Sequence, residues 1–161
     1  MKDFQSVSGI IVGISDLFTT PEKMSCDKLI TVQKMDGEIA NFIEAPDTYF
    51  VDHLKVRLGD MVTGFYDANV PIPLIYPPQY QAIVMARAVP YQNVKVDYFN
   101  ETLVSSDGML KLNLAPSTQI LLENGQAFTG NPTNRYLVVV YGPTTRSIPA
   151  QTTPEQIVVL C

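Results

Sequence analysis

The sequence predicts an all-β protein built from two similar halves. Three observations carry that expectation. Charged residues make up only 17% of the 161, and Pro outnumbers Gly, 12 to 9. Globular chains average about 25% charged, so a long charged helix, a coiled coil and a disordered tail are excluded. Short β-branched or alternating runs lie between Asp-Gly, Asn-Gly and Pro-containing turns. Several of these motifs also recur, in order, 70 to 75 residues later. A chain of this length buries about 70% of its unfolded surface, enough for a core without disulfide staples.

Taken in order, Ile10-Ile11-Val12 reads as a strand, and the flanking Gly9 and Gly13 mark a bulge rather than a helix contact. Leu29-Ile30-Thr31-Val32-Gln33 is a second strand that runs into Asp36-Gly37, a strong hairpin signal. Ile39, Phe42 and Ile43 continue the hairpin. Ala45-Pro46 is expected to end that strand, because Pro gives no N–H to a ladder. The one helix candidate is Thr48 to Val56, where Tyr49, Val51 and Leu54 lie on no clean helical stripe, so little or no helix is expected. In the second half, Leu110, Leu112 and Leu114 alternate with Lys111 and Asn113, the period of a half-buried strand. Asn124-Gly125 is a turn, and Thr129-Gly130-Asn131-Pro132 a loop.

The repeat is specific in its order. Asp36-Gly37 matches Asp107-Gly108, and Ala45-Pro46-Asp47-Thr48 matches Ala115-Pro116-Ser117-Thr118. Phe50-Val51 then matches Ile120-Leu121. Val62 to Tyr66 matches Leu137 to Tyr141, and Ala82 to Met85 matches Ile157 to Leu160. Between these last blocks lie two Pro-rich stretches of 15 residues each, 67–81 and 142–156. Shared order and near-constant spacing point to a duplication, with units at 7–88 and 89–160. Ile10 to Ile14 also echoes Ala82 to Ala86, so the strand near 82 either closes the first unit or also opens the second.

Five strands in about 70 residues, with a long Pro-rich loop before the last, resemble the OB-fold, a small Greek-key barrel whose loops bind ligands. The resemblance covers most of 7–160 and implies two five-stranded barrels packed together. Gly64-Phe65-Tyr66-Asp67-Ala68-Asn69, Tyr76-Pro77-Pro78-Gln79-Tyr80 and Thr145-Arg146-Ser147-Ile148-Pro149-Ala150-Gln151 also look like small uncharacterised proteins of endospore-forming Gram-positive bacteria. That second resemblance transfers no functional residue.

The chemistry is defined largely by exclusion. Net charge is -5, with 11 acids against 7 Lys/Arg in residues 1–90 and 5 against 4 in 91–161. No stretch clusters three basic residues, so nucleic acid is disfavoured as a partner. The single His53, beside Asp52, reads as a strand-end or surface residue rather than a general base. One His and two distant Cys do not make a zinc site. Asp36 and Asp107 have turn roles. No P-loop, dinucleotide fingerprint or nucleophile elbow is present, so no catalytic residue, metal or cofactor is expected, and the chain is read as not an enzyme. Cys26 and Cys161 read as free thiols, with a cross-link between chains as the functional alternative. No apolar run is long enough for a secretory signal or a membrane span. The expected compartment is the cytoplasm, with a spore or cell-surface assembly as the alternative.

The most distinctive segment is Val70 to Tyr80, with four prolines and Ile72, Leu74, Ile75, Tyr76 and Tyr80. It reads either as a preorganised contact surface or as a plug over a barrel end. Its counterpart, Thr144 to Pro154, is more polar and carries Arg146. Contact residues are accordingly placed at Pro73, Leu74, Ile75, Tyr76, Pro77, Tyr80 and Arg146. Tyr49, Phe50, Phe65, Tyr66, Tyr91, Tyr98 and Phe99 could stack on a ligand but are read first as core. The expected function is a structural or scaffold protein that associates with itself or docks another protein through Pro/Tyr-rich loops and strand edges. The rival is an OB-like binding module for oligosaccharide, peptide or, last, single-stranded nucleic acid.

Overall fold

Runs rich in β-branched and aromatic residues give the first half its long strands. In the computed structural model, the backbone is described for residues 1–20 and 23–161, and the side chains for all of these but 18–20, 23 and 24. The chain divides into two compact units, Met1–Ala88 and Val89–Cys161. The first contains β1 (Phe4–Thr20), β2 (Lys23–Gln33), β3 (Ile39–Phe50), β4 (Met61–Asp67) and β5 (Gln79–Arg87). They close into a barrel in the order β1-β2-β3-β5-β4. β3 and β5 run parallel, and every other neighbouring pair is antiparallel.

β1 serves two neighbours in succession. Phe4 to Ile10 pair with β4, and Ile10 onward pair with β2. The register slips between Ile11 and Gly13, so the expected bulge is present. A Cβ on Gly9 would stand 2.3 Å from the Gln33 carbonyl oxygen, which is why the strand can cross here only as glycine. β2 and β3 join through the Asp36-Gly37 hairpin, in which Gly37 N–H donates to the Lys34 carbonyl and Asp36 Oδ1 accepts from Glu38 N–H at 2.9 Å.

One expectation needs correction. Ala45-Pro46 does not end β3. The ladder to β5 is interrupted between Glu44 and Tyr49, then resumes at Tyr49↔Val84 and Phe50↔Met85. Thr48 bridges the gap: its hydroxyl donates to the Ala82 carbonyl at 2.8 Å and accepts from Ala45 N–H at 2.9 Å. Proline therefore costs the strand a few rungs, which a side-chain hydroxyl partly replaces. Of the two alternatives for the strand near 82, the described ladders favour closure of the first unit, because β5 has β3 on one side and β4 on the other. The helix candidate holds only a 3-10 turn, Val51–His53, with Asp52 in the left-handed region. The core of this unit gathers Ile11, Ile30, Val32, Phe42, Val62 and Met85.

The second unit contains β6 (Asn93–Phe99), β7 (Leu110–Leu112), β8 (Gln119–Leu122), β9 (Arg135–Tyr141), β10 (Ala150–Thr152) and β11 (Gln156–Leu160). Its ladders form a four-stranded sheet, β6-β9-β11-β8, and a two-stranded sheet, β10-β7, rather than a five-stranded ring. Where the first unit has a long β1-β2 hairpin, this one has a tight turn after Phe99. Asn100 Oδ1 holds the turn by accepting from Thr102 N–H, the Thr102 hydroxyl and Val104 N–H. Single bridges, Phe99↔Ser105 and Val104↔Lys111, stand in place of full ladders. β7 pairs parallel with β10, and β8 pairs parallel with β11. Leu110 and Leu112 are buried as the alternation predicts, while Leu114 lies exposed beyond the strand. A separate core gathers Phe99, Leu110, Leu112, Leu137, Val139, Ile157 and Val159.

The Thr48 arrangement recurs at Thr118, whose hydroxyl donates to the Pro154 carbonyl at 2.7 Å and accepts from Ala115 N–H at 3.3 Å. Thr48→Val and Thr118→Val keep the side-chain shape and remove one donor and one acceptor each. Both are expected to lower unfolding free energy by about 1–3 kcal/mol, since a carbonyl and an N–H lose their partner. Chemical denaturation measures this directly. A loss smaller than about 0.5 kcal/mol at either position would mean that water replaces the hook.

Candidate functional site

The Pro-rich loop of the first unit is held at its roots and exposed at its tip. At the entry, Asp67 Oδ1 accepts from Asp3 N–H and Asn69 N–H, both at 3.0 Å, while Ala68 N–H donates to the Asp3 carbonyl at 2.7 Å. At the exit, Asn41 N–H donates to the Pro78 carbonyl at 2.9 Å. Tyr80 stacks on Tyr66 with ring centroids 4.0 Å apart, and both rings lie against Phe42. Burial, with the adjacent Tyr80 hydroxyl next, pushes the Tyr66 phenol above its usual pKa. Tyr80 is thus a half-buried foundation of the loop rather than part of its tip. The pairing of Tyr66 with Tyr80 escaped the sequence reading, although the two residues do flank the loop.

Between these roots the chain turns its apolar side chains outward. Leu74 is fully exposed, Tyr76 is 75% exposed and Ile75 52%. Pro73 is exposed and Pro77 half-buried, after a cis Tyr76-Pro77 bond. A plug over the barrel end would bury Leu74, Ile75 and Tyr76, and none of them is buried.

The counterpart loop lies in the second unit, where Arg146 is exposed. It folds back on β10. Thr145 N–H donates to the Gln151 carbonyl, and Gln151 N–H donates to the Thr145 hydroxyl, both at 2.9 Å. The Thr152 hydroxyl donates to the Pro143 carbonyl. Beside this fold lies an open groove of roughly 480 Å³, lined by Asn113, Pro143, Thr144, Thr145, Gln151, Thr152 and Thr153. The sequence reading missed it, because its residues come from three separate stretches of unremarkable polar composition.

The remaining candidates are dispersed. Cys26, near the open end of β2, and Cys161, the last residue, are free and exposed. His53 is exposed in the 3-10 turn and packs edge-on against Tyr49. Of the aromatics, Tyr49, Phe65 and Phe99 are buried, whereas Tyr91 is almost wholly exposed. Among the described residues, no group of three or more His, Cys, Asp or Glu could hold a metal ion, and no helix is long and apolar enough to cross a membrane.

A polar cluster in the second unit is structural. Lys95 Nζ lies 2.7 Å from Asp107 Oδ2, and the Asp107 carboxylate also accepts from the Ser105 hydroxyl and Met109 N–H. Burial alone would raise the Asp107 pKa, but Lys95, Ser105 and the Met109 N–H together hold it below the usual carboxylate range. A carboxylate lowered in the folded state adds stability above its unfolded pKa. That stability is lost as pH falls through the folded value. Asp107→Asn is therefore expected to flatten the decline of the unfolding midpoint below about pH 4. An unchanged acid limb would remove Asp107 from the account.

Compared with family models, with curated proteins and with solved structures, the chain matches none at significance.

Proposed function

We propose that this chain is a non-enzymatic structural protein that associates with itself or docks another protein through its Pro/Tyr-rich loop and open strand edges. The observation that carries the reading is the exposure of Leu74, Ile75 and Tyr76 on a loop whose two ends are anchored. Covering one large apolar side chain is worth about 1.5–3 kcal/mol. A loop already stiffened by Pro71, Pro73, Pro77 and Pro78 loses little entropy on binding. Strand edges add a second means of contact. Among the described residues, the β2–β3 ladder runs from Lys28 onward while β2 before it pairs with β1, so its other edge is available for strand addition.

The alternative is a binding module of OB-like type. The ring order β1-β2-β3-β5-β4 supports it for the first unit. In the second unit, β7 with β8 takes the place of β3, and β10 with β11 takes the place of β5. The parallel pairings and the two Thr hooks favour that equivalence.

Light scattering across a concentration series tests association of the chain with itself. Mass should rise with concentration and fall back on dilution. A strict monomer at millimolar concentration removes self-association and leaves docking to a different protein, for which pull-downs with the parent chain and with Ile75→Ser/Tyr76→Ser are compared.

A further inference from the structure

We infer that the groove beside β10 in the second unit is a binding site for a neutral carbohydrate. This goes beyond the loop reading and does not depend on it. The lining supplies the chemistry. Asn113, Thr144, Thr145, Gln151, Thr152 and Thr153 contribute amides and hydroxyls, Pro143 adds an apolar ring, and no charged or aromatic side chain lines the groove. A phosphate or carboxylate would find no cation there to make a charge-assisted bond. A nucleobase would find no ring to stack on. An apolar ligand would strip water from the Thr144 and Thr153 hydroxyls and from the free ends of the Asn113 and Gln151 amides, which is costly.

The polar groups are also arranged in advance. Asn113 Nδ2 donates to Gln151 Oε1 at 3.2 Å. That bond pairs the two exposed amides and leaves an acceptor, Asn113 Oδ1, beside a donor, Gln151 Nε2. The Thr152 and Thr145 hydroxyls are held by Pro143 and Gln151, while those of Thr144 and Thr153 remain on exposed residues at the rim. A ligand matching this surface must donate and accept at closely spaced points without carrying charge. Neighbouring sugar hydroxyls do both, and the C–H face of a pyranose can lie on Pro143 and the threonine methyls.

An extended peptide is the obvious competitor, but the backbone it would need is already engaged. β10 is paired with β7 on one side. On the other, Gln151 exchanges hydrogen bonds with Thr145. Beyond the strand, Asn113 N–H donates to the Thr152 carbonyl. Strand addition therefore has no free ladder at this place.

The test is a titration of the ¹⁵N-labelled full chain with cellohexaose, maltohexaose and fully N-acetylated chitohexaose, with inorganic phosphate and a neutral alanine-rich peptide as controls. Side-chain amide signals of Asn113 and Gln151 report the groove directly. At least one hexasaccharide should shift them saturably, with an affinity in the millimolar range or tighter. Gln151→Leu should weaken binding about tenfold, as expected for a lost set of hydrogen bonds of about 1.4 kcal/mol. Thr144→Val, on the exposed loop, is a second variant that leaves the strand untouched and should weaken binding as well. Ile75→Ser/Tyr76→Ser should leave it unchanged, so failure here is separable from failure of the loop reading. No shift with any sugar, shifts confined to other surfaces, or an equal response to phosphate or peptide would each overturn the assignment.

Discussion

Gly64→Val is expected to destabilise the first unit strongly, through its core. A Cβ at position 64 would lie 2.5 to 2.8 Å from three atoms of the Phe42 ring. Phe42 is fully buried, in one core cluster with Ile11, Ile30, Val32, Val62 and Met85, and the Tyr66 and Tyr80 rings lie against it, so it has little room to swing away. Overpacking of a filled core typically costs 1–3 kcal/mol, so about that loss is expected for Gly64→Ala and more for the branched valine. Domains of this size have about 5–15 kcal/mol in total, so the valine variant should be largely unfolded at modest denaturant. Phe42→Leu added to Gly64→Ala makes room and should recover part of the loss, a coupling that a double-mutant cycle measures. If Gly64→Ala unfolds within about 0.5 kcal/mol of the parent, the ring is not confined as described.

Local chemistry explains which parts of the fold were legible. Asp-Gly, Asn-Gly and the Gly9–Gly13 pair act through one residue's backbone or a single side-chain hydrogen bond, so composition alone locates these turns and the bulge. Pro46 misled because its effect depends on a distant partner. The missing N–H would end an isolated strand, but Ala82, 36 residues further on, offers a carbonyl that Thr48 can hold. The second unit departs from the first for a similar reason. Asn100 satisfies three donors in one tight turn, and no periodicity announces that a whole hairpin has been replaced. The exposed loop could be narrowed to two alternatives, since prolines and apolar residues do not say which way they face. The groove was not legible at all, because threonine and glutamine are common on any surface and only the return of the loop onto β10 collects them.

Ile75→Ser/Tyr76→Ser is expected to abolish association while leaving thermal stability almost unchanged. Both side chains are more than half exposed, so the folded chain loses little packing when they are truncated. The same pair in a buried plug would open apolar space and cost on the order of 2–5 kcal/mol per large side chain. The melting temperature therefore separates a contact from a plug without knowledge of the partner. Binding should respond in the opposite sense. Interfaces concentrate their energy in a few aromatic and apolar anchors, and removing one central anchor typically costs more than 2 kcal/mol, at least a thirtyfold weaker complex. Tyr76 is the sharper single probe, because its ring supplies apolar area and its hydroxyl can meet a polar group at the rim of a partner. Tyr80→Ser serves as the opposite control. It removes a ring stacked on Tyr66 and seated against Phe42, so it should lower stability by several kcal/mol through the core. Loss of stability in the Ile75/Tyr76 variant, with association intact, would show that the tip is packed against its own chain and would end the contact reading.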